Sequence, residues 1–301
     1  MIPMCVTIFA GVLGLAFGSF LNVCATRWPE EESIVKGRSR CRSCGRTLAW
    51  WENIPLVSWL ALRGHCRTCK KWIGWRYPLT ELAVGALWAF SAWHTFLEAP
   101  ELSTGNFTYD AALCLTNGIA RIIFLWIVVA LAVMDAENLW LPDRLTLSGI
   151  ALGFVLAFAR GGLFASMVRG GGFDEWRHYT AQSVLFNWFI GTVASATALL
   201  VIRWVYIMIR GQEGIGMGDV KLVAMIGGWL GVGCTALAFG IAVILGALVA
   251  LVALVPPSAR TSNEPWALKK LPFGTFLCIG AMVSAFWGVP IVAAYQRWAG
   301  I

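Results

Sequence analysis

Seven stretches of this 301-residue chain carry no charged side chain. The first is residues 1–26. The others lie strictly between Glu81 and Glu98, Arg121 and Asp135, Arg144 and Arg160, Arg177 and Arg203, Lys221 and Arg260, and Lys270 and Arg297. A helix that crosses a bilayer needs about 20 mainly apolar residues. The 38-residue run after Lys221 is therefore expected to hold two spans, turning near Thr235–Gly240, for eight in all. The run ending at Ala159 is short unless it extends past Arg160. The chain is 58% hydrophobic and 13% charged, about half the charge of an ordinary soluble domain, which excludes that class. The first run lacks a basic flank and a small-residue cleavage site, so it reads as a retained span.

Orientation follows from the basic residues. The loop from Ala25 to Pro78 holds eleven Lys and Arg against four acidic residues, a net of +7. The next loop, Glu98 to Asp110, has three acidic residues and no Lys or Arg. Positive loops stay in the cytoplasm, so the first loop is expected inside and both chain ends outside. Arg160, Arg169 and Arg177 oppose this scheme, offset in part by Asp174 and Glu175. The basic loop outweighs them.

The basic loop contains Cys41-Arg42-Ser43-Cys44 and, 21 residues on, Cys66-Arg67-Thr68-Cys69. Two such knuckles supply four thiolates for one tetrahedral zinc. Two disulfides would be reduced on the cytoplasmic side, and a redox pair comes with a βαβ pattern not seen here. Four thiolates leave no open position, so the zinc is expected to be structural. A loop of this size builds little core of its own, and a metal staples it. The fold class is thus all-α: a polytopic membrane protein with about eight transmembrane helices and a cytoplasmic zinc-binding loop. Cys5, Cys24, Cys114, Cys234 and Cys278 sit in or beside apolar runs and read as small hydrophobes.

Between the knuckles, Leu48 to Leu60 is aromatic and apolar, fit to lie on lipid or against the spans. Its basic surroundings suit anionic headgroups rather than nucleic acid. In span 1, Gly18-Ser19-Phe20-Leu21-Asn22-Val23 reads as a packing face, with Asn22 able to bond across helices. Glu81 opens span 2, either solvated or facing the zinc loop or a polar substrate group. The glycine-rich residues 160–180 read as a loop and residues 256–270 as a cytoplasmic linker. His65, His94 and His178 form no ligand pattern.

Ionisable groups at the edge of membrane spans are functional candidates. Asp135 ends the third span, and Asp219, in Gly216-Met217-Gly218-Asp219-Val220-Lys221, opens the sixth. Both are expected at one depth on the cytoplasmic side. Adjacent carboxylates share one proton, so one acts as base toward a water and the other as acid toward a carbonyl. Gly216 and Gly218 would let a substrate backbone approach Asp219. Lys221 could tune this field or extend to the interface. Asp143, after Pro142 and before an apolar run, looks like a helix N-cap. The same string also suits a simple loop capping the next helix, and a proton-coupled transporter would use such a pair too.

The motifs together resemble a family. The chain is similar to the bacterial prepilin peptidases, GxGD aspartyl proteases like presenilin and signal peptide peptidase. The resemblance rests on the span 1 run Gly18 to Val23, the paired knuckles, Trp51-Glu52-Asn53-Ile54-Pro55 and Arg76-Tyr77-Pro78. It rests further on Asp135 with Leu141-Pro142-Asp143-Arg144-Leu145-Thr146, and on Gly216 to Leu222. It implies that Asp135 and Asp219 are the catalytic pair. It implies substrates that are type IV prepilins and type II secretion pseudopilins, cut after a glycine at the bacterial inner membrane. It also implies N-methylation of the new amine from S-adenosylmethionine. Two departures are visible: a longer segment around residues 160–180, and Glu137 where many members carry a second aspartate.

Three regions follow: residues 1–26 as first span, 27–78 as zinc loop tied by resemblance to methyl transfer, and 79–301 as transmembrane peptidase. The competing functions are a proton-coupled transporter and a membrane-tethered zinc module that recruits partners. A transporter commonly places its carboxylates at mid-bilayer in repeated halves, and neither feature is visible. A recruiting module has no use for the aspartate pair.

Overall fold

A computed structural model of the protein describes residues 2–35, 37–98, 107–169, 181–254 and 271–300. The described residues form helices α1 (Ile2–Arg27), α2 (Val57–Ala61), α3 (Arg76–Glu98) and α4 (Phe107–Asn138). They continue as α5 (Asp143–Arg169), α6 (Ala181–Arg210), α7 (Met217–Leu254) and α8 (Phe273–Ala299). Two isolated β-bridges are the only extended pairing among them. Six helices are long and apolar enough to cross a membrane: α1, α4, α5, α6, α7 and α8. The chain is all-helical and polytopic, as its uncharged runs require.

The helices divide into two compact units. The first comprises residues 1–103 and 117–133, the second residues 104–116 and 134–301. In the first unit, glycines set the approach of α1 to α3. A Cβ on Gly14 would lie 2.9 Å from the Gly85 Cα, and one on Gly18 2.7 Å from the Glu81 Cα. Small residues let helix backbones meet in lipid, where packing and hydrogen bonds replace the hydrophobic drive. The expected packing face of span 1 is therefore real. Asn22 donates from Nδ2 to the Tyr77 carbonyl at 3.1 Å. Segment 117–133 of α4 joins α1 through Trp126, whose Nε1 donates to the Phe17 carbonyl at 3.1 Å.

In the second unit, α7 is two helices fused at one residue. Gly231 has φ 79° and ψ 169°, a conformation essentially confined to glycine. Before it, Gly227 abuts Gly191 of α6, and Met217 meets Arg203 of α6. After it, the register against α8 runs antiparallel: Gly233 on Val292, Cys234 on Gly288, Ala238 on Gly280 and Gly246 on Phe276. The chain turns back at Gly231. The expected turn at Thr235–Gly240 is corrected by four residues. Thr235 lies inside the second arm, its hydroxyl bonded to the Gly231 carbonyl at 2.7 Å. The first arm, residues 217–230, rises about 21 Å at 1.5 Å per residue.

The loop expected at residues 160–180 is helical as far as Arg169, and its remainder lies outside the described residues, as does the expected linker 256–270.

Candidate active site

Both predicted carboxylates lie in the second unit, Asp219 at the start of its own helix and Asp135 against the start of another. Asp135 occupies the last turn of α4 and is buried. Its Oδ2 accepts the backbone N–H of Thr275 at 2.6 Å and the Thr275 hydroxyl at 3.0 Å. Thr275 is the third residue of α8, where helix N–H groups have no partner within the helix. The Thr275 N–H also reaches the Pro272 carbonyl at 3.2 Å, so the carboxylate shares it and meets the positive end of the helix dipole. Asp219 lies in the first turn of α7 and accepts the Gly216 N–H at 3.3 Å, one half of a capping box. The two carboxylates are close enough to repel one another.

Leu141 and two glycines set the distances around the pair. Leu139, directly after α4, adopts φ 51° and donates its N–H to the Asp135 carbonyl at 2.9 Å. This left-handed residue turns the chain so that Leu141 packs between α7 and α8. A Cβ on Gly218 would stand 3.2 Å from Leu141 Cβ. A Cβ on Gly274 would stand 3.0 Å from Asp135 Cγ and 3.1 Å from Leu141 Cδ1. Gly218 is thus filled from its own unit, whereas Gly216 is exposed beside the Asp219 carboxylate. Cys278, read from sequence as a small hydrophobe, is fully buried within electrostatic reach of both aspartates.

Asp143 differs from its expected N-cap role. It is the first residue of α5, and the Pro142 carbonyl accepts the first helical N–H groups. Its carboxylate instead pairs with Lys221 at 2.6 Å, more than half exposed. Lys221 therefore has a specific partner. Glu137 is exposed. Sequence reasoning missed Thr275 and Gly274. The one signal was Pro272-Phe273-Gly274-Thr275, a helix start opening an apolar run.

The four knuckle cysteines come together in the first unit. Their sulfurs all lie within 4.8 Å of one another. Cys41 Sγ and Cys69 Sγ are 3.8 Å apart, the edge expected of about 3.8 Å for a tetrahedron with metal–sulfur bonds near 2.3 Å. That separation is far too long for a disulfide. The knuckles repeat one backbone plan. Cys41 N–H bonds the Arg46 carbonyl at 2.9 Å, and Cys66 N–H the Lys71 carbonyl at 2.9 Å. The residue after each second cysteine is left-handed: Gly45 at φ 70° and Lys70 at φ 56°. Backbone N–H groups of Cys69 and Thr68 bring the Cys66 thiol down to about 6. The donor set fits a zinc ion, which Cys41, Cys44, Cys66 and Cys69 would hold as a structural centre.

The loop between the knuckles is built on an ion pair. Arg46 binds both oxygens of Glu52, at 2.7 and 3.0 Å, and Glu52 also accepts the Ala49 N–H at 2.7 Å. Arg46 holds the Glu52 carboxyl below the usual carboxylate range. Trp59, Trp72 and Trp75 pack on one another, edge to face and tilted. Glu81, left open by the sequence, is buried and faces the loop, where it accepts the Leu56 N–H at 2.8 Å.

Residues 12–95 match the family model described as Bacterial Peptidase A24 N-terminal domain. Residues 122–251 match the model of the Type IV leader peptidase family. The chain is 32% identical to a prepilin leader peptidase/N-methyltransferase of Stutzerimonas stutzeri, over 99% of this chain and 96% of that protein. It is also 32% identical to one of Pseudomonas aeruginosa, over the same shares of the two chains. A Burkholderia pseudomallei protein of that name is 35% identical over 94% of this chain and 85% of its own. No solved structure matches.

Proposed function

This chain belongs to the type IV leader peptidase family, and from that membership we propose that Asp135 and Asp219 are its hydrolytic pair. The protein is a bifunctional enzyme that cleaves the leader of prepilins and N-methylates the new terminus. The transporter reading finds no support among its relatives.

What supports the pair is the unequal setting of the two carboxylates. Asp135 accepts two hydrogen bonds on one oxygen at the start of α8. Hydrogen bonds to a carboxylate favour its charged form. Asp135 is therefore the base that activates water. Asp219, with a single 3.3 Å bond, carries the shared proton and delivers it to the scissile carbonyl. Water adds to the carbonyl carbon, and Asp135 takes its proton. The tetrahedral centre then expels the amine, which takes its proton from Asp135 as the C–N bond breaks. Gly216, open beside Asp219, admits the substrate backbone, and Gly218 seats Leu141 behind it.

Pseudopilins share the substrate class, and the bacterial inner membrane is the site of action. Both are what the family resemblance implies, and a substrate whose basic leader stays in the cytoplasm while its apolar helix enters lipid is consistent with them. Residues 27–78 form the metal-stapled region tied to methyl transfer, residues 79–301 the peptidase and residues 1–26 the first span. The deciding experiment incubates purified protein with a prepilin. Asp135→Asn and Asp219→Asn are each expected to abolish cleavage while the protein still accumulates. Asp143→Asn, outside the pair, keeps substantial activity. Full cleavage by either of the first two would overturn the assignment.

A further inference from the structure

We infer that α2 and the tryptophans beside it lie in the cytoplasmic leaflet, so that the metal loop is itself seated on phospholipid. Neither the aspartate pair nor methyl transfer enters into this, and all the residues concerned belong to the first unit.

One face of α3 is exposed along its whole length. Exposed apolar side chains recur every three or four residues, at Trp75, Leu79, Leu82, Ala86, Phe90, Trp93 and Leu97. This stripe runs about 33 Å at 1.5 Å per residue, close to the thickness of a bilayer's hydrocarbon core. The opposite face packs on Gly11, Gly14 and Gly18 of α1, a helix fit to span the membrane. A helix laid along a span shares its lipid, so the stripe faces acyl chains.

The same packing measures depth. Gly18 is level with Glu81, and Asn22 with Tyr77. The first charge on α1 is Arg27. Trp75 is therefore level with the uncharged end of α1, about 5 Å on the membrane side of Arg27. Glu81 is deeper, about 14 Å inside Arg27. The metal loop reaches down to it, because the N–H of Leu56, directly before α2, donates to Glu81 Oε2 at 2.8 Å. Trp59 of α2 packs on Trp75 with ring centroids 4.6 Å apart, and Trp72 stands 5.7 Å from each. α2 and Trp72 thus widen the lipid-facing stripe at its cytoplasmic end.

The widened patch presents carbon. Val57 and Leu60, one turn apart on α2, are 59% and 66% exposed, and Trp75 is 59% exposed. Donors nearby are spent inside the loop. Trp59 Nε1 donates to the Ile73 carbonyl at 3.1 Å, the Leu60 N–H to the Leu56 carbonyl at 2.9 Å and the Gly64 N–H to the Trp59 carbonyl at 2.8 Å. Lipid demands such internal pairing of backbone groups. Tryptophan favours the boundary between acyl chains and headgroups, and a short helix with one apolar face settles about 5–10 Å into it. Arg63, Lys70 and Lys71 are exposed and adjoin α2 and Trp72 in sequence, where headgroup phosphates would meet them. The continuity with the α3 stripe makes phospholipid the occupant.

The test uses full-length protein in nanodiscs of phosphatidylethanolamine and phosphatidylglycerol, doped with a phosphatidylcholine that carries a diazirine close to its glycerol. After irradiation, mass spectrometry maps the adducts. Adducts on residues 57–60 and 72–75, as well as on 79–82, are expected. Adducts on 79–82 with none on 57–60 or 72–75 overturn the seat. So does labelling of 57–60 that excess prepilin abolishes while that of 79–82 persists, since the patch would then hold a peptide. Val57→Asp combined with Leu60→Asp is expected to cut adducts on 72–75 at least about tenfold, because two apolar side chains give up their burial in lipid. Unchanged labelling of 72–75 in that variant, with its melting temperature retained, also overturns the seat. If the variant does not accumulate, the map of the unaltered protein decides alone.

Discussion

Thr275 decides how Asp135 is presented. Its hydroxyl and its N–H both reach one carboxylate oxygen. Such an arrangement fixes the rotamer of the carboxylate proposed as the base. Thr275→Val keeps the shape of the side chain and removes the hydroxyl. A hydrogen bond to a charged group contributes about 1.5–3 kcal/mol, so kcat for leader cleavage is expected to fall at least about tenfold. KM stays near its original value, because Thr275 touches Asp135 rather than substrate. Thr275→Ser restores the hydroxyl and most of the rate. Steady-state kinetics on a purified prepilin would check this. Equal losses in both variants would mean that Thr275 acts only through packing. Asp143 teaches the converse. Its place after a proline suggested a cap, but a lysine 78 residues away in sequence claims it. Local sequence carries no record of such a partner.

Among elements, the metal loop and the α6–α7 pair are built by opposite means. The loop relies on four sulfurs, one buried carboxylate and a cluster of tryptophans. Replacing Cys41 and Cys44 by serine is expected to drop the bound zinc from about one per chain to none. It should abolish N-methylation more completely than cleavage, since Asp135 and Asp219 stand on other helices. Elemental analysis of the protein and mass spectrometry of the pilin read the two effects. Uncleaved precursor would instead reveal structural coupling. The α6–α7 pair relies on absent side chains. A Cβ on Gly191 would sit 2.1 Å from the Gly227 carbonyl oxygen, and backbone cannot yield as a flexible side chain does. Gly191→Leu is therefore expected to destabilise the protein by about 1–3 kcal/mol or more, visible as a lower melting temperature in detergent. The knuckles were legible in sequence because their spacing encodes the metal geometry directly. The turn at Gly231 was not. It lies among Gly227, Gly228, Gly231 and Gly233, and only a backbone dihedral separates the one that bends from those that pack.

At the scale of the whole molecule, the missing charges revealed the architecture, since lipid excludes them and the chain had to gather them elsewhere. Asp135 bounds one uncharged run, and Asp219 stands two residues before Lys221, after which another begins. Their companion on α8 was hidden, because nothing local to Asp135 points to a residue 140 positions later. The protein is expected to fractionate with the inner membrane, and a fluorescent thiol reagent should reach Cys44 and Cys69, both exposed, only from the cytoplasmic side in metal-depleted cells. Labelling from the periplasm would invert the topology.

That long reach has a consequence for the enzyme's birth. A ribosome adds roughly 5–20 residues each second, so Asp135 waits about 7–28 s before Thr275 exists to hold it. Throughout that interval the nascent protease lacks the contact that orients Asp135, the proposed base. It passes through the insertion machinery, beside many unfolded apolar chains, as an unarmed enzyme. No propeptide is required for this latency, since the last helix is itself the arming step. A chain stopped before residue 271 should accumulate in membranes without cutting prepilin, and separate expression of the α8 segment would then restore cutting wherever the two fragments assemble.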